Sequence, residues 1–267
     1  MDLKLQDRVV LITGGAGSIG SATARIFAEN GAIVYINDLQ KEAGEKLENT
    51  MREMGYRFHF LAGNVNCEED IRTFVETAFE REGHIDCLVN NTGKSVEADK
   101  RAPICGLEER LWDRSMNICL NGIRNCCRYA VPHMKEQHFG RIVNIGSVAG
   151  FRQPLRNQDG YAISKAIIHH LTRDMALDYA PFGITANCVI PGSVVNANLG
   201  SLYSSEKSAR AMKSHVPYGS PGKGAFIGEA VVFLCSPLSE FITGLLMNVD
   251  GGWSAGYAIE VNSDEEG

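Results

Sequence analysis

Tyr161 and Lys165 stand four residues apart in YAISK. On a helix that spacing puts a phenol and an ammonium on one face. A free tyrosine titrates near about pH 10 and is a poor base at neutral pH. A neighbouring ammonium favours the phenolate. Ser147 ends the run RIVNIGS, where its hydroxyl can hold a substrate oxygen beside the phenol. The three side chains together supply a proton carrier, a charge and a positioner. The same tyrosine and lysine spacing also occurs on solvated helix faces, so its weight depends on what precedes it.

What precedes it is TGGAGSIG, residues 13–20, after an apolar run and before a helical one. In that setting glycines let the backbone approach a pyrophosphate at a helix N-terminus. Three registers fit in part. Gly15, Gly17 and Gly20 spell G-x-G-x-x-G, and Thr13, Gly14, Gly17 and Gly20 spell T-G-x-x-G-x-x-G. The pattern T-G-x-x-x-G-x-G fits at Thr13, Gly14 and Gly20 but meets Ser18 where it wants glycine. Asp38 closes the second apolar run, at about the spacing expected of a carboxylate that takes an adenosine ribose 2′-hydroxyl. The same charge repels a 2′-phosphate, and neither Leu39 nor Gln40 offers a base. The cofactor this predicts is NAD. The plainer alternative is a glycine-rich turn with Asp38 as an ordinary turn residue.

Alternating elements must position these residues. Apolar runs at 8–13, 32–37, 57–62, 85–91, 141–146, 184–190 and 243–249 read as strands. They are too continuously apolar for a sheet with one wet face. Helical periods fill 18–30, 41–54, 68–82, 107–136, 160–180 and 225–234. Repeated β-α units predict one α/β domain over 1–267, a doubly wound Rossmann-type sheet of seven parallel strands with helices on both faces. The stretches 94–106, 151–159 and 193–224 lack a clear period and follow strand ends, where ligands sit in such sheets. We expect 193–224 to cover the substrate and the acidic tail 262–267 to be mobile.

Composition narrows the function further. The chain has 267 residues, is 44% hydrophobic and 22% charged, and carries a formal net charge of -6. That acidity, without a basic run, argues against nucleic-acid or anionic-membrane partners. No apolar run is long enough to span a bilayer. The stretch MDLKLQDRVV has no leader-like h-region, and the eight cysteines show no C-x-x-C pattern. We therefore expect reduced thiols, a cytoplasmic location and no metal.

Taken together, the chain resembles the classical short-chain dehydrogenases/reductases over nearly its whole length. The marks are TGGAGSIG, Asp38, NNTG (90–93), NIGSVAG, YAISK, Pro191-Gly192 and ITGLLMNVDGGW. The resemblance implies that Tyr161 is the acid/base, that Lys165 binds the nicotinamide ribose and lowers the tyrosine pKa, and that Ser147 orients the substrate. It places the cofactor against Gly14, Gly17, Ser18, Ile19, Gly20, Asp38, Leu39, Asn64, Val65, Asn90, Asn91, Gly93, Tyr161, Lys165, Pro191, Gly192, Val194 and Asn196. It also implies a homotetramer built on the two long helices. Three departures are Ser18 in the glycine loop, Asn64 where the family usually has aspartate, and Thr92 for a common alanine. A fourth is Cys119, which falls where the family carries the asparagine of its proton relay. Asn117 and Asn121 lie two residues to either side, and on a helix they face elsewhere.

The function expected is NAD-dependent transfer of a hydride between nicotinamide and a secondary alcohol or ketone. The alternative is a non-catalytic NAD-binding or regulatory protein on the same fold. Substrate contacts are expected from Ser95, Val148, Gln153, Asn157, Asn198, Leu199 and Tyr203. Arg152 and Arg156 would suit a carboxylate, although solvated loop arginines are the more ordinary reading.

Overall fold

The computed structural model describes residues 2–93, 103–152, 159–195 and 216–256. Its elements in chain order are β1 (Val9–Thr13), α1 (Ser18–Glu29), β2 (Ile33–Asp38), α2 (Lys41–Glu53), β3 (Phe58–Ala62), α3 (Glu68–Glu82) and β4 (Cys87–Asn90). They continue as α4 (Glu109–Met116), α5 (Gly122–Glu136), β5 (Gly140–Ile145), α6 (Asp159–Tyr179), β6 (Ile184–Pro191), α7 (Gly224–Cys235) and β7 (Leu246–Val249). All seven strands are parallel and form one sheet in the order β3-β2-β1-β4-β5-β6-β7. The order reverses between β1 and β4, and the crevice at their carboxyl ends is where open α/β sheets bind ligands.

Alternation along each strand assigns side chains to two layers. Val9 and Leu11 join Phe74, Ile123 and Ile168 on the side of α3, α5 and α6. Val10 and Ile12 join Phe27, Met51 and Val231 on the side of α1, α2 and α7. Every residue of β1 is buried, as a strand covered on both faces requires.

Two elements differ from the sequence expectation. The apolar period predicts one helix over 107–136; the helix runs without a break from Glu109 to Glu136 but widens into a π turn at Asn117–Asn121 between α4 and α5. The Gly122 N–H donates to the Asn117 carbonyl across that wide turn. Cys119 points into the core at 0% exposure, while Asn121 Nδ2 donates to Asn117 Oδ1 on the outside at 2.7 Å. Single π turns are rare and cluster at functional sites. The last strand starts at Leu246, just after Gly244, which takes φ +74 and gives its N–H to Ala186 O of β6.

The glycine loop is fixed by close approach. Gly14 has φ +64, a left-handed conformation that glycine adopts without penalty. A Cβ on Gly20 would collide with Gly14 O and stand 2.8 Å from Asn91 Nδ2. At Gly17 it would meet only Gly14 O, at 3.3 Å. Gly20→Ala is therefore expected to lose about 1–3 kcal/mol as an overpacked site. Gly17→Ala should lose less than about 1 kcal/mol, as at an ordinary helix N-cap. Urea unfolding of the two variants checks this, and equal losses would contradict the close-packing account.

Candidate active site

The carboxyl ends of six strands bring the sequence-predicted residues to one edge of the sheet. Gly14, Gly17, Ser18, Ile19 and Gly20 follow β1 and open α1. Asp38 ends β2, with Leu39 after it at 71% exposure. Asn64 and Val65 follow β3. Asn90 ends β4, and Asn91, Thr92 and Gly93 come next. Ser147 follows β5, and Pro191 ends β6 ahead of Gly192 and Val194. Tyr161 and Lys165 come from the start of α6. Ser95, Gln153, Arg156, Asn157, Asn196, Asn198, Leu199 and Tyr203 lie outside the described residues.

Hydrogen bonds tie these ends into a cradle. Asn91 Nδ2 donates to Thr13 O at 3.0 Å and Gly14 O at 2.9 Å. Thr13 Oγ1 accepts from the N–H groups of Asn91 and Thr92. Asp38 accepts from Ala16 N and from Gln40 N, both at 3.0 Å, so its carboxylate braces the glycine loop. A dinucleotide fits this cradle. The first turn of α1 presents backbone donors at Ser18, Ile19 and Gly20 with no capping side chain over them. Thr92 Oγ1 beside Gly14 is buried and has no partner.

Three predicted contacts take a different form. Ser18 Oγ donates to Val195 O at 3.3 Å, which links α1 to the segment after β6 and leaves the backbone N–H for an anion. The Val65 side chain is buried against Gly122, and its carbonyl accepts from Asn125 Nδ2, so only its N–H faces the edge's chemistry. Val148, expected to touch substrate, is 3% exposed and packed in the core. The 3-10 turn Val148–Gly150 tucks it inward.

The residues expected to handle the proton lie at the start of α6 and just after β5. Lys165 is 2% exposed, and its Nζ donates to Ile145 O at 2.7 Å. The ammonium lies 5.8 Å from the centre of the Tyr161 ring. A Cβ on Gly93 would stand 2.9 Å from Lys165 Nζ and 3.3 Å from Cys119 Sγ. The π turn thus delivers Cys119 to the flank of Lys165. Ser147 Oγ accepts from Ala149 N at 3.2 Å, which leaves its O–H to donate elsewhere. Arg152 NH1 donates to Trp253 O at 2.8 Å.

A buried polar set lies behind these groups: Asn90, expected to flank the cofactor, is 3% exposed, and its partners Asn144 and Thr172 carried no signal in the sequence. Asn90 Nδ2 donates to Asn144 Oδ1 at 2.8 Å, and Asn144 Nδ2 donates to Thr172 Oγ1 at 3.0 Å. His169, at 7% exposure, continues the face of Tyr161 and Lys165 by a further four residues. Burial, helped by the charges of Lys165 and Arg173, pushes its pKa down to about 4. The i, i+4 continuation was visible in the sequence, but its strand-end neighbours were not. Among the described residues no group of three or more metal-ligating side chains occurs, and no helix is long and apolar enough to cross a membrane.

The chain is similar to known dehydrogenases and reductases along nearly its whole length. A family model described as enoyl-(acyl carrier protein) reductase matches residues 14–254. The chain is 33% identical to a cis-4-hydroxycyclohexanecarboxylate dehydrogenase of Sinomonas cyclohexanicum, over 93% of this chain and 97% of that protein. It is 31% identical to a cyclopentanol dehydrogenase of Comamonas testosteroni, over 94% and 99%. A solved gluconate 5-dehydrogenase of Burkholderia cenocepacia, in complex with NADP and tartrate, superposes with a TM-score of 0.87 at 30% identity, covering 96% of this chain and 98% of that one.

Cys119 gives this geometry a test. A thiol is a weak donor and a weak acceptor, whereas an amide at the same place can hydrogen-bond beside Lys165. Cys119→Asn is expected to leave NAD affinity unchanged and to hold or raise turnover. Steady-state kinetics with a melting curve checks it. A normally folded variant that has lost activity would show that this chain uses a proton relay different from the asparagine relay that the family resemblance implies.

Proposed function

The chain belongs to the short-chain dehydrogenase/reductase family, and from that premise we propose that it is an NAD-dependent oxidoreductase of secondary alcohols and ketones, with Tyr161 as its acid/base. The observation that carries this reading is the Lys165 ammonium, buried at the strand edge on the same helix face as the Tyr161 phenol. When bound, the nicotinamide supplies the hydride chemistry. The protein's residues handle the rest. Ser147 offers its O–H to the substrate oxygen. Tyr161 takes the alcohol proton, or returns it in the reverse direction. The positive charge of Lys165 favours the charge left on the phenol while that proton is away. Gly14, Gly17, Ser18, Ile19 and Gly20 bind the pyrophosphate, and Asn91 and Gly93 line the cofactor's path towards Pro191, Gly192 and Val194. The two relatives named above are dehydrogenases of ring alcohols, which supports this substrate class.

Asp38 supports NAD over NADP. It closes β2 as a carboxylate, and the nearest base in sequence, Lys41, has its ammonium 3.8 Å from Glu45 Oε1. A 2′-phosphate would meet that negative charge. We further propose a homotetramer. Ile163, Ile167 and Leu177 form an exposed apolar stripe on α6 at helical spacing, which supports an interface there. All eight cysteines are free thiols, in keeping with a reducing compartment such as the cytoplasm.

Tyr161→Phe removes the proton carrier and little else. It is expected to bind NAD normally and to lose more than about 99% of turnover with a panel of secondary alcohols. Retention of more than a few per cent of kcat would overturn the assignment. Asp38→Ala should weaken NAD and relax the exclusion of NADP together, because a hydrogen bond and a repulsion are lost at once. Titration of both cofactors checks this, and a parent chain that binds NADP as well as NAD would contradict it.

A further inference from the structure

We propose that His169 is a positioning residue: its ring fills the notch between Gly146 and Gly150 and so fixes the Ser147 hydroxyl against the helix that carries Tyr161 and Lys165. The inference rests on the roles given above to those three residues.

The geometry runs from the turn to the helix. Ser147 starts the 3-10 turn Val148–Gly150, and Gly150 N closes it by donating to Ser147 O at 2.9 Å. One glycine stands on each side of the serine turn. A Cβ on Gly146 would lie 2.7 Å from His169 Nε2 and 3.0 Å from Cδ2. A Cβ on Gly150 would lie 2.5 Å from His169 Cε1. The ring edge therefore occupies the space that side chains at both positions would need. The Phe151 ring covers the imidazole from 5.9 Å. His169 is one helical turn beyond Lys165, whose ammonium holds Ile145 O just ahead of Gly146. Two side chains of one helix thus grip the same strand end, Lys165 by a hydrogen bond and His169 by filling space.

The choice of residue also matters. His169 Nε2 is buried and without a hydrogen-bond partner. The titratable and charged groups around it are Lys165 and Arg173 on α6 and Cys188 on β6. Burial holds the Cys188 thiol up at about 12, so it brings no negative charge. No anion is therefore at hand to stabilise an imidazolium, and the ring works as a neutral spacer. Protonation would place a second cation beside Lys165 and drive the ring from the notch. Because the folded-state pKa lies below the unfolded one, stability falls as pH drops from about 6.5 towards 4.

The test uses the full chain with His169→Ala, which empties the notch, and His169→Gln, which keeps a planar group of similar reach but does not titrate. His169→Ala should lose about tenfold to hundredfold in kcat, with NAD affinity within about twofold of the parent. His169→Gln should recover most of kcat near neutral pH. It should also flatten the fall in melting temperature between about pH 6.5 and 4. The proposal is overturned if His169→Ala folds and keeps kcat within about twofold. It is equally overturned if His169→Gln folds but does not recover kcat, or if its melting temperature falls with acid as the parent's does, results that hold even where the alanine variant does not fold. Tyr161→Phe in the same assay separates the two readings. If it stays active, the catalytic assignment fails. If it is inactive while His169→Ala is fully active, only the role of His169 fails.

Discussion

A buried ammonium without a carboxylate sets the terms for this molecule. Lys165 is 2% exposed, and its Nζ donates to one backbone carbonyl, Ile145 O. Among the described residues no acid pairs with it. Taking an ion out of water costs several kcal/mol even after relaxation, and one hydrogen bond to a carbonyl offsets only part of that. On the proposed mechanism that charge is held where the reaction uses it. Tyr161 one turn earlier on α6, Gly93 beneath the ammonium and Cys119 on its flank all fit that placement.

The parallel sheet explains why such a site assembles at all. Both faces of the sheet are covered by helices, so polar groups collect at the strand ends. Six of those ends converge at the carboxyl edge, and close contacts lock them together. The Asn91 amide spans the β4 end and the glycine loop. The Asp38 carboxylate braces the same loop from β2. Behind the site, Asn90, Asn144 and Thr172 connect β4, β5 and α6 by side-chain hydrogen bonds. Each tie is worth little alone, but together they set the spacing between a cofactor cradle and a proton carrier. An oxidoreductase of this family needs that spacing.

Most of this architecture was legible from periodicity. Strand runs such as 184–190 and helix runs such as 68–82 were read within a residue or so, because an unbroken apolar run and a 3.6 period are distinct signals. The order of TGGAGSIG, Asp38, Ser147 and YAISK was legible for the same reason: each falls at a strand end or on one helix face. What was not legible came from contacts across elements. A period search over 107–136 cannot see the one inserted residue that makes a π turn, yet that turn decides where Cys119 points. The inward tuck of Val148 depends on a 3-10 turn rather than on its own type. The role of His169 depends on Gly146 and Gly150, two glycines some twenty residues away in another element.

The central claim is that Lys165 is kept for chemistry at a cost in stability. The melting temperature of Lys165→Met tests it most directly, since methionine fills much the same space without the charge. Removing a buried, acid-free ammonium should leave the chain at least as stable as the parent, while NAD-linked oxidation of secondary alcohols is lost. A melting temperature many degrees lower, or a variant that still turns over, would contradict the account, because Lys165 would then serve the fold rather than the reaction.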